Sequence, residues 1–441
     1  MNGRLTYATT DVDLLVTLRK PGRGYFLLVG FLIVLVGVGA LAWMNQIRTG
    51  IGLAGKNSPV GWAMYITTFV YWVGIAHSGT LISAILFLVR VRWRAAVYRS
   101  AEAVTVFAVM TAGLFPFIHL GRVWVAHWIL PIPNFGGLWP NFRSPLAWDV
   151  LAISTYFTVS GMFFMLGMLP DLAIARERFK GWRKKVYTLL SLGWQGSSGQ
   201  WRHFTAAYLF LAALATPLVI SVHSIVSWDF AMSIVPGWHS TIFAPYFVAG
   251  AIHSGLAMVV LLLIPLRRSF GLESYITMHH LESLAKFIIF TAMIVGSAYG
   301  IELFMAWYGG NRFEQSLFLY RAVGDYWWAF WLLMTTNILA PMLFWVKKIR
   351  TNIPALVTIC IFVEVGMWLE RFIIIVTSLA HDYLPSAWGL YRPTLTDSAI
   401  VVGSFAWFFL LFLLFIKLLP SVSMWEVKEQ LPVPTRKEAA A

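Results

Sequence analysis

The chain has 441 residues, 59% of them hydrophobic and only 12% charged, with a formal net charge of +14. A soluble domain is nearer a quarter charged, so this chain has too little polar material to cover itself in water. Its basic residues lie in short segments between apolar runs, which argues against nucleic acid and for membrane topology signals, with anionic-lipid contact a minor secondary reading, and a lone cysteine, Cys360, leaves neither a disulfide framework nor a cysteine-ligated metal centre in the chain.

A spanning helix takes roughly 20 apolar residues at a rise of about 1.5 Å each. Runs of that kind fall at 25–44, 61–89, 103–120, 146–169, 204–227, 241–265, 284–308, 325–346, 353–380 and 398–419. The expected fold is therefore an all-α membrane protein of ten transmembrane helices. The polar N-terminus gives no expectation of a cleaved signal peptide. No soluble domain fits between the runs, since the longest connections are 121–145 and 170–203. The tail after Pro420, with Pro432, Pro434 and a charged end, is expected to be disordered.

Lysine and arginine set the expected orientation. The N-terminus, the even-numbered connections and the tail hold 24 of them, and the odd-numbered connections hold 7, with Lys286 and Arg371 inside spans. By the positive-inside rule both termini are expected in the cytoplasm, and the odd connections outside.

An internal repeat runs through the spans. Gly74-Ile75-Ala76-His77-Ser78-Gly79 in span 2 returns as Gly250-Ala251-Ile252-His253-Ser254-Gly255 in span 6. Glu102 matches Glu282, Asp149 matches Asp325, and Ser227-Trp228-Asp229-Phe230 resembles Ala380-His381-Asp382-Tyr383, all in the same order. Spans 2–5 and 6–9 are thus expected as two four-helix bundles of the same orientation, a parallel repeat. The implied units are 1–60 with span 1, a first bundle at 61–230, a second at 231–383, and 384–441 with span 10 and the tail.

An ionisable group in hydrocarbon costs several kcal/mol and asks for a reason. Span 3 ends at His119 and Arg122, and span 4 returns from Asp149, so a histidine, an arginine and a carboxylate are expected near the outer face of the first bundle. The intervening 127–145 connection, rich in Trp, Pro and Gly, is expected to fold back into the interface. Such a grouping suits a substrate that gives up two electrons and two protons and has an apolar tail, such as a quinol. Histidine takes one hydroxyl proton and a carboxylate takes or orients the other. The competing reading is a structural pair joining two helix ends. His77 and His253, followed by small residues, suit close helix packing or a proton relay. Glu302, Asp325 and Asp382 form a candidate outer cluster in the second bundle, where Tyr299 falls at the place of His119. Asp229, Glu364, Glu370 and Arg371 complete the proton-path candidates. Haem is not expected: His239 and His253 are 14 apart, but no second helix has a matching pair. The chain has no phosphate-binding loop.

The repeated histidine-Ser-Gly motif, ten spans and internal termini resemble the NrfD/PsrC superfamily of quinone-reactive membrane anchors. Within it, the stretch from Gly74 to Leu86 and the added spans 1 and 10 look most like the quinol-oxidising membrane subunit of alternative complex III. The resemblance implies quinol or menaquinol as substrate, held by His119 and Asp149, with Arg122 and His77 placed nearby by position. It implies a periplasmic iron–sulfur subunit as electron acceptor, multihaem and monohaem cytochrome c subunits, and a sister NrfD-like membrane subunit. It also implies that no haem or iron–sulfur cluster is bound by this chain itself, and that the second bundle is a candidate proton route in a bacterial inner membrane. A non-catalytic sister scaffold and a secondary transporter are the alternatives.

Overall fold

The computed structural model describes residues 6–130, 132–133, 137–139 and 141–431, and among them the regular structure is helical throughout. Ten long helices follow the ten apolar runs: α1 Arg23–Thr49, α2 Met64–Leu88, α3 Tyr98–Leu120, α4 Pro145–Arg178, α5 Ser198–Ala231, α6 Phe243–Phe270, α7 Met278–Tyr308, α8 Trp327–Trp345, α9 Ile353–Phe372 and α10 Leu395–Leu418. Nine of them, all but α9, are long and apolar enough to cross a bilayer, where the sequence led us to expect ten. In α9, Glu364, Glu370 and Arg371 are buried while Ile361, Phe362 and Val365 stay exposed. Its charges face the protein interior, and only its apolar side meets the surroundings.

Local chemistry explains the helix ends. Ser197 and Gln200 form a reciprocal cap that opens α5, and Thr394 with Asp397 does the same for α10. Pro145 stands in the first turn of α4, where its missing N–H costs nothing. The 170–203 connection is largely helical: α4 and α5 extend into it, and Gly181–Leu190 forms a basic helix between them.

The helices α2 and α6 lie against each other at the centre, and α2 is buried on nearly all sides. Around α2 the contacts run α2–α3, α3–α4, α4–α5 and α5–α2; around α6 they run α6–α7, α7–α8, α8–α9 and α9–α6. Gly79 explains the closeness of α2 and α3. A Cβ there would lie 2.1 Å from both the Ala101 carbonyl oxygen and Thr105 Oγ1. A π-helical turn, Leu81–Ile85, follows at once. Outside this core α1 packs on α10 through Gly39 and Gly403, whose backbones nearly touch, and Tyr25 donates to the Leu413 carbonyl at 3.0 Å.

The segment after Pro420 departs from expectation. Residues 432–441 fall outside the described residues, but Met424–Glu429 is a docked helix with Met424, Glu426 and Val427 buried. Asp171 of α4 accepts the Met424 and Trp425 N–H groups at 3.1 and 3.2 Å, and so caps the helix from another element. Arg94 pairs with Glu426 at 2.7 Å and Lys428 with Asp11 at 2.7 Å. Proline and charge at the very end of the chain suggested disorder, and these long-range partners are what override it.

Candidate functional site

Three helix termini meet at the end of the molecule where the odd-numbered connections lie. The helix α3 bends at Gly113, resumes over Leu114–Leu120 and stops at Gly121, whose φ of +70° suits glycine and whose missing side chain leaves room for Ile51. This puts His119 in the last turn of α3. Asp149 lies near the start of α4, and Asp229 in the last turn of α5. All three side chains line one cavity of about 660 Å³, well within the size range of small-molecule sites. Its walls are otherwise mostly apolar, with Phe69, Val109, Phe117, Leu146 and Phe157 among them. Phe117, Leu146 and Phe157 are also exposed on the outside of the helix bundle.

The two aspartates form a pair. Asp149 and Asp229 come within hydrogen-bonding reach of each other. A hydrogen bond between two carboxyl groups needs a proton on one of them. Each also keeps one buried oxygen that no donor among the described residues reaches. The pair therefore holds one proton between its members and presents two unpartnered carboxyl oxygens side by side in an apolar wall.

His119 has a different partner. Lys56 Nζ lies 2.7 Å from its Nδ1 and 3.3 Å from its carbonyl oxygen, and Trp62 meets the ring edge-on at 6.5 Å between centroids. Lys56 is held in place by a clamp between the α1–α2 connection and the segment before α10. Asp397 accepts the Gly55 N–H at 2.8 Å and the Tyr391 hydroxyl at 2.8 Å. Thr394 donates to the Leu53 carbonyl at 2.9 Å, and Asn57 to the Leu390 carbonyl at 3.0 Å. A Cβ on Gly55 would collide with the Arg392 carbonyl at 2.1 Å, so only glycine lets the two segments close. Burial pushes the Lys56 ammonium down to about 8, with Asp397 opposing the shift.

The remaining candidates are distributed as follows. Arg122 is exposed and does not line the cavity; Lys56 is the cation beside His119 instead. His77 is fully buried in α2, its Nδ1 2.6 Å from the Val73 carbonyl, and lies off the cavity wall. Its ring stacks on Tyr156 and lies 4.7 Å from that of His223, a buried histidine of α5 that the sequence reading passed over. Asp229, expected on a proton path, belongs to the cavity. In the second half His253 Nδ1 meets Thr291 Oγ1 at 2.9 Å, and Glu364 accepts the Tyr71 hydroxyl at 2.7 Å. Arg371 pairs with Glu370, which also accepts from the Tyr299 hydroxyl. Glu302, Arg321, Glu370, Tyr246 and Tyr299 line a small cavity of about 30 Å³. Asp325 accepts from Tyr320 at 3.1 Å and Asp382 from its neighbour's N–H at 2.7 Å, and neither lines either of these cavities.

Lys56 had one sequence signal. It is one of only 7 basic residues on the face where positive charge is sparse, and an exception to the charge rule asks for a partner. Part of the 127–145 connection, on which the expected fold-back falls, lies outside the described residues. Ahead of it Val123–Ile129 is a 3₁₀-helix, and Ile129 and Leu130 line the cavity.

Fold and site together define a multi-pass helical membrane protein with a mostly apolar cavity at one end, lined by a histidine and a carboxyl pair. The chain belongs to the family described as "Polysulphide reductase, NrfD", which it matches over residues 52–381. The match leaves α1 and α10 outside. Two relatives fit this assignment. One, from Halobacterium salinarum, is described as a putative membrane subunit of dimethyl sulfoxide reductase and is 27% identical over 240 residues; the alignment covers 54% of this chain and 50% of that protein, so this chain spans about half the length of that relative. The other is the "Hdr-like menaquinol oxidoreductase integral membrane subunit" of Archaeoglobus fulgidus, 22% identical over 430 residues, covering 92% of this chain and 96% of the relative.

Proposed function

We propose that this chain is the membrane subunit of a quinol-oxidising complex and that the cavity at His119, Asp149 and Asp229 is its quinol site. One observation carries the reading: three helix ends place an imidazole and a carboxyl pair in the wall of a single, mostly apolar cavity. A quinol has an apolar body and two hydroxyl groups. The body and tail fit the aromatic and aliphatic wall, one hydroxyl faces His119, and the other faces the Asp149–Asp229 pair. Each hydroxyl loses its proton to the group it faces. The two electrons pass to an iron–sulfur cluster in a partner subunit docked over that end. The name of the Archaeoglobus relative favours menaquinol as the substrate class.

The finer reading places the site on the periplasmic side of a bacterial inner membrane, with both termini in the cytoplasm. The chain divides into a quinol-binding half, 61–230, and a second half, 231–383, in which His253, Glu302, Glu364 and Arg371 serve a proton route. Its assembly is like alternative complex III, with iron–sulfur, multihaem and monohaem cytochrome c subunits and a sister NrfD-like subunit. The test is quinol oxidation by the purified complex carrying His119→Gln or Asp149→Asn. Loss of a proton acceptor is expected to slow turnover by about 10²-fold or more. Wild-type rates in both variants would remove the cavity from the reaction.

A further inference from the structure

The proposed quinol site, on which this inference rests, has a second basic group behind His119. His119 has two ring nitrogens. One of them, Nδ1, is engaged 2.7 Å from Lys56 Nζ, so the other, Nε2, is the nitrogen left for a ligand in the cavity. We propose that Lys56 is the proton acceptor behind His119, taking the Nδ1 proton as Nε2 takes a hydroxyl proton from the quinol.

Two neutral-imidazole arrangements of this contact differ by the transfer of one proton along it. In the first, Lys56 is an ammonium group donating to Nδ1; the imidazole proton then sits on Nε2, which can donate to a quinone carbonyl but cannot accept from a hydroxyl. In the second, Lys56 is a neutral amine accepting from Nδ1–H, and the Nε2 lone pair is free. Quinol oxidation starts from the second. The O–H bond breaks, its proton forms a bond to Nε2, and the Nδ1 proton moves to Lys56. The electrons leave for the partner's iron–sulfur cluster. The site finishes in the first arrangement, which suits the quinone product because Nε2–H now donates to its carbonyl.

The surroundings fit such an exchange. The groups facing Lys56 are His119, the Tyr65 ring 5.2 Å away and the carboxylate of Asp397, which favours the ammonium form. Burial opposes it and brings the amine down to about 8, where both states are populated near neutral pH. Asn57 and Ser58, next in the chain, are exposed and give the proton a way out to water. Asp397 binds the Gly55 N–H and fixes the turn that carries Lys56. Lys56 is thus a positioning residue that acts through His119.

The base form of Lys56 must be present for turnover, so kcat is expected to rise as pH increases through about 8 and to be lost below it. The assembled complex is assayed with a short-chain menaquinol analogue and ferricyanide. Wild-type activity is measured first, and its absence would overturn the quinol reading together with this proposal. Lys56→Arg keeps the charge and the donor but cannot give up its proton. It is expected to lose the rising limb and about 10²-fold in kcat, while affinity for a quinol-analogue inhibitor changes less than about 3-fold, since contacts to the body are kept. Lys56→Ala is the second variant, with methylamine added back. Recovery of activity with a pH limb set by the added amine supports the relay, and a structural role does not produce it. Wild-type kcat and pH profile in Lys56→Arg, or a silent amine rescue in an assembled Lys56→Ala complex that still binds the inhibitor, would overturn the assignment of Lys56 while leaving the quinol site standing.

Discussion

Asp229 and Asp149 approach each other from the end of one helix and the start of another, and the proton between them distinguishes a carboxyl pair from any amide substitute. Asp229→Asn preserves shape and hydrogen bonding but leaves a single titrating group. It is expected to slow quinol oxidation by about 10²-fold with little change in inhibitor affinity, read from initial rates and equilibrium binding on the same preparation. Gly79 makes a different kind of prediction. Gly79→Ala forces a methyl group against the Ala101 carbonyl and Thr105, so overpacking of about 1–3 kcal/mol should lower the unfolding midpoint in detergent. An unchanged midpoint would mean that α2 and α3 can separate without cost. At this scale His119 and Asp149 were legible because ionisable groups stand out at the ends of apolar runs. Lys56 was not, because a cation in a loop reads as topology. The clamp that turns it toward His119 comes from Thr394 and Asp397, some 340 residues later. Arg122 was chosen for its nearness in sequence, and the chain turns it outward after Gly121.

Helices were the most legible elements, since 20 apolar residues in a row leave few alternatives. Their ends were less so. The α4 and α5 helices run on into the basic connection, where the Ser197–Gln200 cap starts α5 ahead of its apolar run. The short helix after Pro420 depends on contacts that no local pattern encodes. Asp171 both caps it and pairs with Arg99 at 3.1 Å, with neither side chain exposed. Asp171→Ala removes the cap and leaves Arg99 as a buried charge without its partner carboxylate, at a cost of about 3–5 kcal/mol. The expected result is faster proteolysis after Pro420 and lost hydrogen-exchange protection over 424–429. Equal protection in the variant would show that the Arg94–Glu426 and Lys428–Asp11 pairs hold the segment without Asp171.

For the whole molecule the charge asymmetry makes the boldest prediction. A membrane-impermeant thiol reagent applied to intact cells is expected to label Asn141→Cys and to spare Lys180→Cys; the reverse pattern would invert the site and put the quinol reading on the wrong face. The sequence showed the repeat and one sign of its inequivalence, Tyr299 at the place of His119, but not the different fates of the carboxylates. Asp149 and Asp229 meet in a cavity, while their counterparts Asp325 and Asp382 are taken up by local tyrosine and backbone contacts. Repetition preserves helix packing more readily than it preserves a constellation at helix tips, where connections of different length re-aim each side chain. The exposed wall of Phe117, Leu146 and Phe157 has a kinetic consequence. A reductant entering past these residues travels sideways within the bilayer and never crosses water. The concentration that governs turnover is then its mole fraction in lipid, and rates plotted against aqueous molarity would rank analogues by partitioning before they rank them by chemistry.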